Sequence, residues 1–194
     1  SFLYAPLPDP DPNARPLEGG FDQKVYDMLE KPSEVSEILI NTALSEGAER
    51  VAGVIDLGVE ERCLITSKGF SRCERKTFFT SHLRSFVGEG SGHWGYGSRF
   101  YDAREVENVA RRSAEYAKLS RTQRSVEPGL YDMVLSPMVL GELLGSVARG
   151  FSAFSYILGL SFLRGKKPGD KVASDALTLK DDPLKNDLLG SSGF

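Results

Sequence analysis

The chain has 194 residues, of which 40% are hydrophobic and 26% charged, enough to bury a core and stay soluble. A formal net charge of −3 argues against a dedicated nucleic-acid binder, which carries a basic excess. Two cysteines are too few for a disulfide scaffold, so a reducing compartment is expected. Residues 1–32 read as a proline-rich connector. Pro6, Pro8, Pro10, Pro12 and Pro16 forbid a helix there and favour an extended arm. Phe2, Leu3, Tyr4 and Leu7 are its apolar members and are expected to pack against the body.

A helix is predicted from Ser33, with that serine as N-cap and Glu34 and Glu37 at the positive helix end. Val35, Ile38, Leu39, Thr42 and Ala43 repeat at helical spacing, and Gly47 is a natural stop. The period then becomes two. Val51, Gly53, Ile55 and Leu57 face one way and Asp56 the other, and Cys63, Ile65 and Ser67 alternate likewise. Ser67-Lys68-Gly69 reads as a turn, and residues 70–87 are β-prone. Together they predict an antiparallel meander. Asp102-Ala103-Arg104-Glu105 opens a second helix in capping-box style, with Val106, Val109, Ala110, Ser113 and Ala117 as its buried stripe. After Pro128-Gly129 a short strand is predicted at residues 130–135. Ser136-Pro137 starts a third helix, whose apolar face is Leu140, Leu143, Leu144, Val147, Ala148 and Phe151. A further strand is predicted at residues 176–179. The fold class is α+β: an antiparallel meander with flanking helices, followed by the start of a second β-rich domain. The domains read as a connector over 1–32, a central domain over 33–127 and a further domain from 128.

Chemical motifs are sparse. Gly90-Ser91-Gly92-His93-Trp94-Gly95 has the spacing G-x-G-x-x-G, but the residues after it do not open a helix, as a phosphate cradle requires. A glycine-rich loop or twisted strand, permitting positive φ and close approach, is the better reading. His82, His93, Cys63 and Cys73 show no pair at zinc-ligand spacing. The cysteines are ten residues apart, open to being cross-strand neighbours, and are read as buried small side chains. No Gly-X-Ser-X-Gly elbow is present. Arg104, Arg111, Arg112 and Lys118 interleave with Glu105, Glu107 and Glu115, which marks a solvated helix face. No signal peptide is visible, and the longest apolar run, residues 151–163, falls short of the roughly 20 a bilayer needs. No membrane partner and a cytoplasmic location are expected.

Three stretches together resemble the TldD/PmbA family. They are Pro128-Gly129-Leu130-Tyr131-Asp132-Met133-Val134-Leu135-Ser136-Pro137 with Gly141-Glu142-Leu143-Leu144, then Gly159-Leu160-Ser161-Phe162-Leu163-Arg164-Gly165-Lys166, then Lys171-Val172-Ala173-Ser174 with Leu177-Thr178-Leu179-Lys180-Asp181-Asp182-Pro183. Thr66-Ser67-Lys68-Gly69 and the helix from Asp102 resemble the family's central domain. Its members, once described as modulators of DNA gyrase, are regarded as zinc-dependent peptidase subunits. The register implies that residues 128–194 are the truncated N-terminal part of a C-terminal domain, and that the chain is a fragment of something longer.

In the TldD-like branch a His-Glu-X-X-X-His motif follows the Leu-Leu pair, where the histidines bind zinc and the glutamate activates water. Here the positions after Leu143-Leu144 that match it are Gly145, Ser146 and Gly150. The resemblance therefore implies the other branch, PmbA or TldE, with neither metal nor catalytic residues in this chain. Zinc would be held by a TldD-like peptidase subunit forming a heterodimer with it. The implied role is to help enclose a peptide or unfolded-protein substrate during proteolysis, with a homodimer open for the isolated chain. The alternative is a stand-alone peptide-binding or adaptor module. Glycines at 145 and 150 are expected to leave room for substrate or partner.

Overall fold

The computed structural model describes residues 6–122, 124–185 and 189–194. They fall into two compact units, Ser1–Arg124 with Asp182–Phe194, and Ser125–Asp181. Phe2, Leu3 and Tyr4, expected to pack against the body, lie outside the described residues. Leu7 does not pack as expected and is 51% exposed.

The first unit begins with an irregular arm that ends in a short helix, α1 (Gln23–Asp27), and a 3-10 turn, Met28–Glu30. The Asp22 carboxylate caps α1 by accepting from the Lys24 N–H at 2.9 Å, and Val25 is fully buried. The connector expected over 1–32 thus contains a helix that anchors into the core. Helix α2 (Pro32–Ser45) follows. Its N-cap is Lys31, without a side-chain cap bond, and Pro32 stands in the first turn. Ser33 is therefore inside the helix and not its cap. Proline brings no N–H to satisfy and has a helical φ, so it starts the helix unaided. Val35, Leu39 and Ala43 are buried as their spacing predicts, and Gly47 leaves the helix with φ +89°.

The sheet is an antiparallel meander, β1 (Arg50–Ile65), β2 (Ser71–Val87) and β3 (Gly90–Ser98), in the order β1-β2-β3. The β1–β2 register runs from Arg50↔Phe86 to Ile65↔Ser71, closed by a turn in which Gly69 has φ +87°. One sheet face meets α2 and α3 (Ala103–Leu119), and there Phe79 and Leu83 of β2 join Val35, Leu39, Val106, Val109 and Ala110 in the core. A serine pair sits in the same layer, where the Ser85 and Ser113 hydroxyls are 2.7 Å apart.

The glycines of β3 have a packing cause. A Cβ on Gly90 would run into the Ala117 carbonyl of α3, and one on Gly92 into the Ser113 carbonyl. The α3 backbone rests directly on this strand. Close approach is thus the reason for the glycines, and the positive φ also anticipated occurs at none of Gly90, Gly92, Gly95 and Gly97. Asp102 caps α3 by accepting from the Arg104 N–H at 2.9 Å, and Val106, Val109, Ala110, Ser113 and Ala117 are all fully buried.

The second unit holds α4 (Pro137–Gly150) and the short α5 (Ala153–Ile157). The strands expected at 130–135 and 176–179 are not formed. A strand is stable only when its backbone groups pair with a neighbour. The described residues of this unit contain no strand to pair with, and Leu130 and Val134 stand fully exposed. Among the described residues, no helix is long and apolar enough to cross a membrane.

Candidate functional site

Helix α4 carries the positions singled out from the sequence. The Ser136 hydroxyl accepts from the Val139 N–H at 3.4 Å, and Pro137 opens the first turn, so the helix starts where expected. Gly145 faces open space, with no atom within 4 Å of the place a Cβ would take. Ser146, one residue on, has its hydroxyl 3.0 Å from the Arg149 guanidinium, which donates to it. Gly150 is different. A Cβ there would collide with the Phe162 ring, which also packs edge-on against Phe151 at 5.2 Å. The Ser161 hydroxyl donates to the Gly150 carbonyl and closes this corner. So the room expected along this stretch is open at Gly145 and already filled at Gly150.

The other candidates lie in the first unit. His82 and His93 stack across β2 and β3 with ring centroids 5.9 Å apart, His82 lying over Gly95. The G-x-G-x-x-G stretch is inside β3, which excludes a phosphate cradle at a strand–helix junction. The cysteines depart from expectation. Cys63 and Cys73 are direct register partners and form a disulfide, and both are exposed instead of buried. Each cysteine is five residues from Lys68 at the turn, so the register puts them opposite each other on one face, which a buried-thiol reading leaves out. The disulfide also departs from the reducing setting inferred from a low cysteine count. The charged face of α3 is as expected, with Arg111–Glu107 at 2.7 Å and Arg112–Glu115 at 2.9 Å.

A polar centre at Glu74 had no sequence signal. This side chain sits on the face of β2 turned away from the helices and is only 5% exposed. Its carboxylate accepts from the Ser192 hydroxyl at 2.8 Å, the Gly193 N–H at 3.0 Å and the Leu17 N–H at 3.2 Å. Burial works against its ionisation, but these hydrogen bonds and the charge of Lys76 outweigh it and hold the carboxyl below its ordinary pKa. Beside it the Ser191 carbonyl accepts from Lys76 Nζ at 3.3 Å and from the buried Arg99 guanidinium. Each partner comes from a distant part of the chain, so no local motif marks the site. A separate apolar hollow of about 190 Å³ lies between α2 and β1, lined by Leu39, Ile40, Val51, Ile55 and Leu83 together with Ser36. It offers no titratable group for chemistry.

The family model described as PmbA/TldA metallopeptidase central domain matches residues 19–121, and that described as PmbA/TldA metallopeptidase C-terminal domain matches residues 128–194. The chain belongs to the PmbA/TldA metallopeptidase family. No match was found among curated proteins or among solved structures. The central-domain match takes in α1, the meander and α3, and the C-terminal match takes in α4 and α5. Zinc is the metal the resemblance associates with this family. The residues of this chain do not fit it on α4. Gly145 and Gly150 have no side-chain donor, and the Ser146 hydroxyl is engaged by a guanidinium whose positive charge opposes a cation. Among the described residues no group of three or more histidine, cysteine, aspartate or glutamate side chains is placed to hold a metal.

Proposed function

We propose that the chain is a PmbA/TldE-type subunit without its own catalytic centre, acting in a two-component zinc peptidase. A TldD-like partner would hold the zinc, and this chain would help enclose the peptide. The observation that carries the reading is α4 itself. At the positions matching the zinc motif it presents hydrogen, hydroxymethyl and hydrogen, with Arg149 lying against the hydroxyl. A water-activating metal needs imidazole or carboxylate donors and a base beside them, and those residue types are not there. Family membership supports a role connected with proteolysis.

Co-purification with a His-Glu-X-X-X-His protein tests this. The expected outcome is a stoichiometric complex whose peptidase activity is lost on chelation, with zinc retained by the partner after separation. Chelator-sensitive activity or bound zinc in the isolated chain would overturn the proposal. A self-associated species carrying peptide, with no peptidase subunit, would support the stand-alone module instead.

A further inference from the structure

The disulfide and the Glu74 centre are neighbours on the same two strands. Cys63 pairs with Cys73, and the next cross-strand pair toward the sheet centre is Arg62 with Glu74. Side chains alternate along a strand, so the disulfide lies on one sheet face and the Arg62–Glu74 pair on the other. Those two residues are anchors of the segment 191–194. Glu74 accepts from Ser192 and Gly193, and Arg62 donates to the Phe194 main-chain oxygen at 2.9 Å. The Phe194 ring also packs against Phe70, just beyond the disulfide, at 5.8 Å.

Beyond the cysteines the hairpin end is held by the Thr66–Phe70 turn bond at 2.9 Å and by the buried Phe70 ring, which packs on Phe194 itself. Of the ladder itself, only Leu64↔Arg72 and Ile65↔Ser71 remain before the turn, and Leu64 and Ile65 are exposed. A strand end with few buried contacts opens locally at low cost. Here the covalent link joins the two strands at that end. Both cysteines are exposed, so a thiolate from solution reaches either sulfur.

We propose that the Cys63–Cys73 disulfide is a thiol-operated latch on the segment 191–194. A dithiol reductant attacks one sulfur, forming a mixed disulfide and releasing the other cysteine as a thiol. Its second thiol then displaces the remaining cysteine. The protein gains two electrons and two protons and ends with two thiols, and the reductant leaves as its own disulfide. Once the link is cut, the strand ends fray, and Arg62 and Glu74 lose the fixed register that holds the segment.

The test is amide hydrogen exchange at Gly193 and Leu17 in the intact chain, with and without dithiothreitol, while alkylation mass counts free thiols. The oxidised chain is expected to show no alkylated cysteine and slow exchange at Gly193. Full reduction is expected to alkylate both cysteines and speed that exchange by about tenfold or more, leaving the Val109 and Phe79 amides unchanged. The variant with both Cys63→Ser and Cys73→Ser is expected to exchange fast at Gly193 with or without reductant. Two free thiols in the chain after treatment with oxidised glutathione would overturn the proposal. So would unchanged Gly193 exchange after full reduction, or equal acceleration at Val109. If the double variant does not fold, the reduction series on the unaltered chain decides alone.

Discussion

Phe162 lies against Gly150 so closely that no side chain fits between them. Gly145, five residues earlier on the same helix, faces open space. Two glycines that look equivalent in the sequence therefore have opposite mechanical roles. Gly150→Ala should destabilise the second unit by about 1–3 kcal/mol, because the Phe162 ring must move or the helix must shift. Gly145→Ala should be neutral or stabilising by about 0.5–1 kcal/mol, since alanine favours the helix and meets nothing. Urea titration of both variants, followed by helix circular dichroism, checks the contrast. Equal effects would remove the packing account of Gly150. The same pair refines the proposed function, because a loss of complex activity in Gly145→Ala with intact stability would mark that open position as contacting substrate or partner.

A second glycine is fixed by backbone and not by a ring. At Gly92 the obstacle is the Ser113 carbonyl of α3, which cannot rotate away as a side chain does. Gly92→Ala should therefore cost about 3 kcal/mol or more, with α3 lifted from the sheet. The expected reading is a lower midpoint in urea and lost protection of the Ala110 and Ala114 amides, whose residues are fully buried. A variant as stable as the parent would disprove the close-packing account of the β3 glycines.

These contrasts show which parts of the fold the sequence makes legible. Helix α3 is legible because one cap, Asp102, and one stripe repeat at helical spacing over seventeen residues. The meander is legible because β1 and β2 alternate over long runs. Helix α1 is not, since five residues are too few for a period and Val25 is buried by tertiary contact alone. The α4 positions are found by resemblance, yet the filled space at Gly150 depends on Phe162, which follows in a turn. The Glu74 centre is the least legible. Its partners lie 57, 118 and 119 residues away, and a lone glutamate in a strand has no pattern to announce it. The disulfide depended on register, and a shift of one residue would have put the sulfurs on opposite faces.

Helix α4 is less buried than its apolar face led one to expect. None of its residues is buried, and Leu144 is only half-buried. A fully buried leucine truncated to alanine costs about 2–5 kcal/mol. Leu144→Ala in this chain should cost about 1 kcal/mol or less, because little contact is lost. Ser136→Ala should cost about 0.5 kcal/mol, the low end for an N-cap, since the hydrogen bond is long at 3.4 Å and exposed. Denaturation of the isolated chain checks both values. If a TldD-like partner covers this face, Leu144→Ala should weaken the complex far more than it weakens the chain.

The last expectation concerns pH and Glu74. Its carboxyl is held below the ordinary pKa of about 4.3 by the Gly193, Ser192 and Leu17 hydrogen bonds and by Lys76, which together outweigh the effect of burial. A group whose folded pKa is lowered stabilises the fold while it is ionised in both states. That contribution is fully present above the ordinary glutamate pKa, and it is lost as pH falls through that value toward the folded one. The Gly193 amide should accordingly keep its protection from neutral pH down to the ordinary glutamate pKa and lose it only as pH falls below that, after correction for the intrinsic exchange rate. Glu74→Gln removes the titrating group, so its acid-induced loss should be shallower than in the parent, with weaker protection already at pH 7. At pH 7 Glu74→Ala should cost about 1–3 kcal/mol, because the Leu17 and Gly193 amides and the Ser192 hydroxyl lose their acceptor. If parent and Glu74→Gln showed the same pH profile at Gly193, another carboxylate would have to control the segment. Asp102 is also held below its ordinary value, mainly by the Arg104 amide at the start of α3. Protection of the first turn of α3 reports that group separately, so the two effects can be told apart in one experiment.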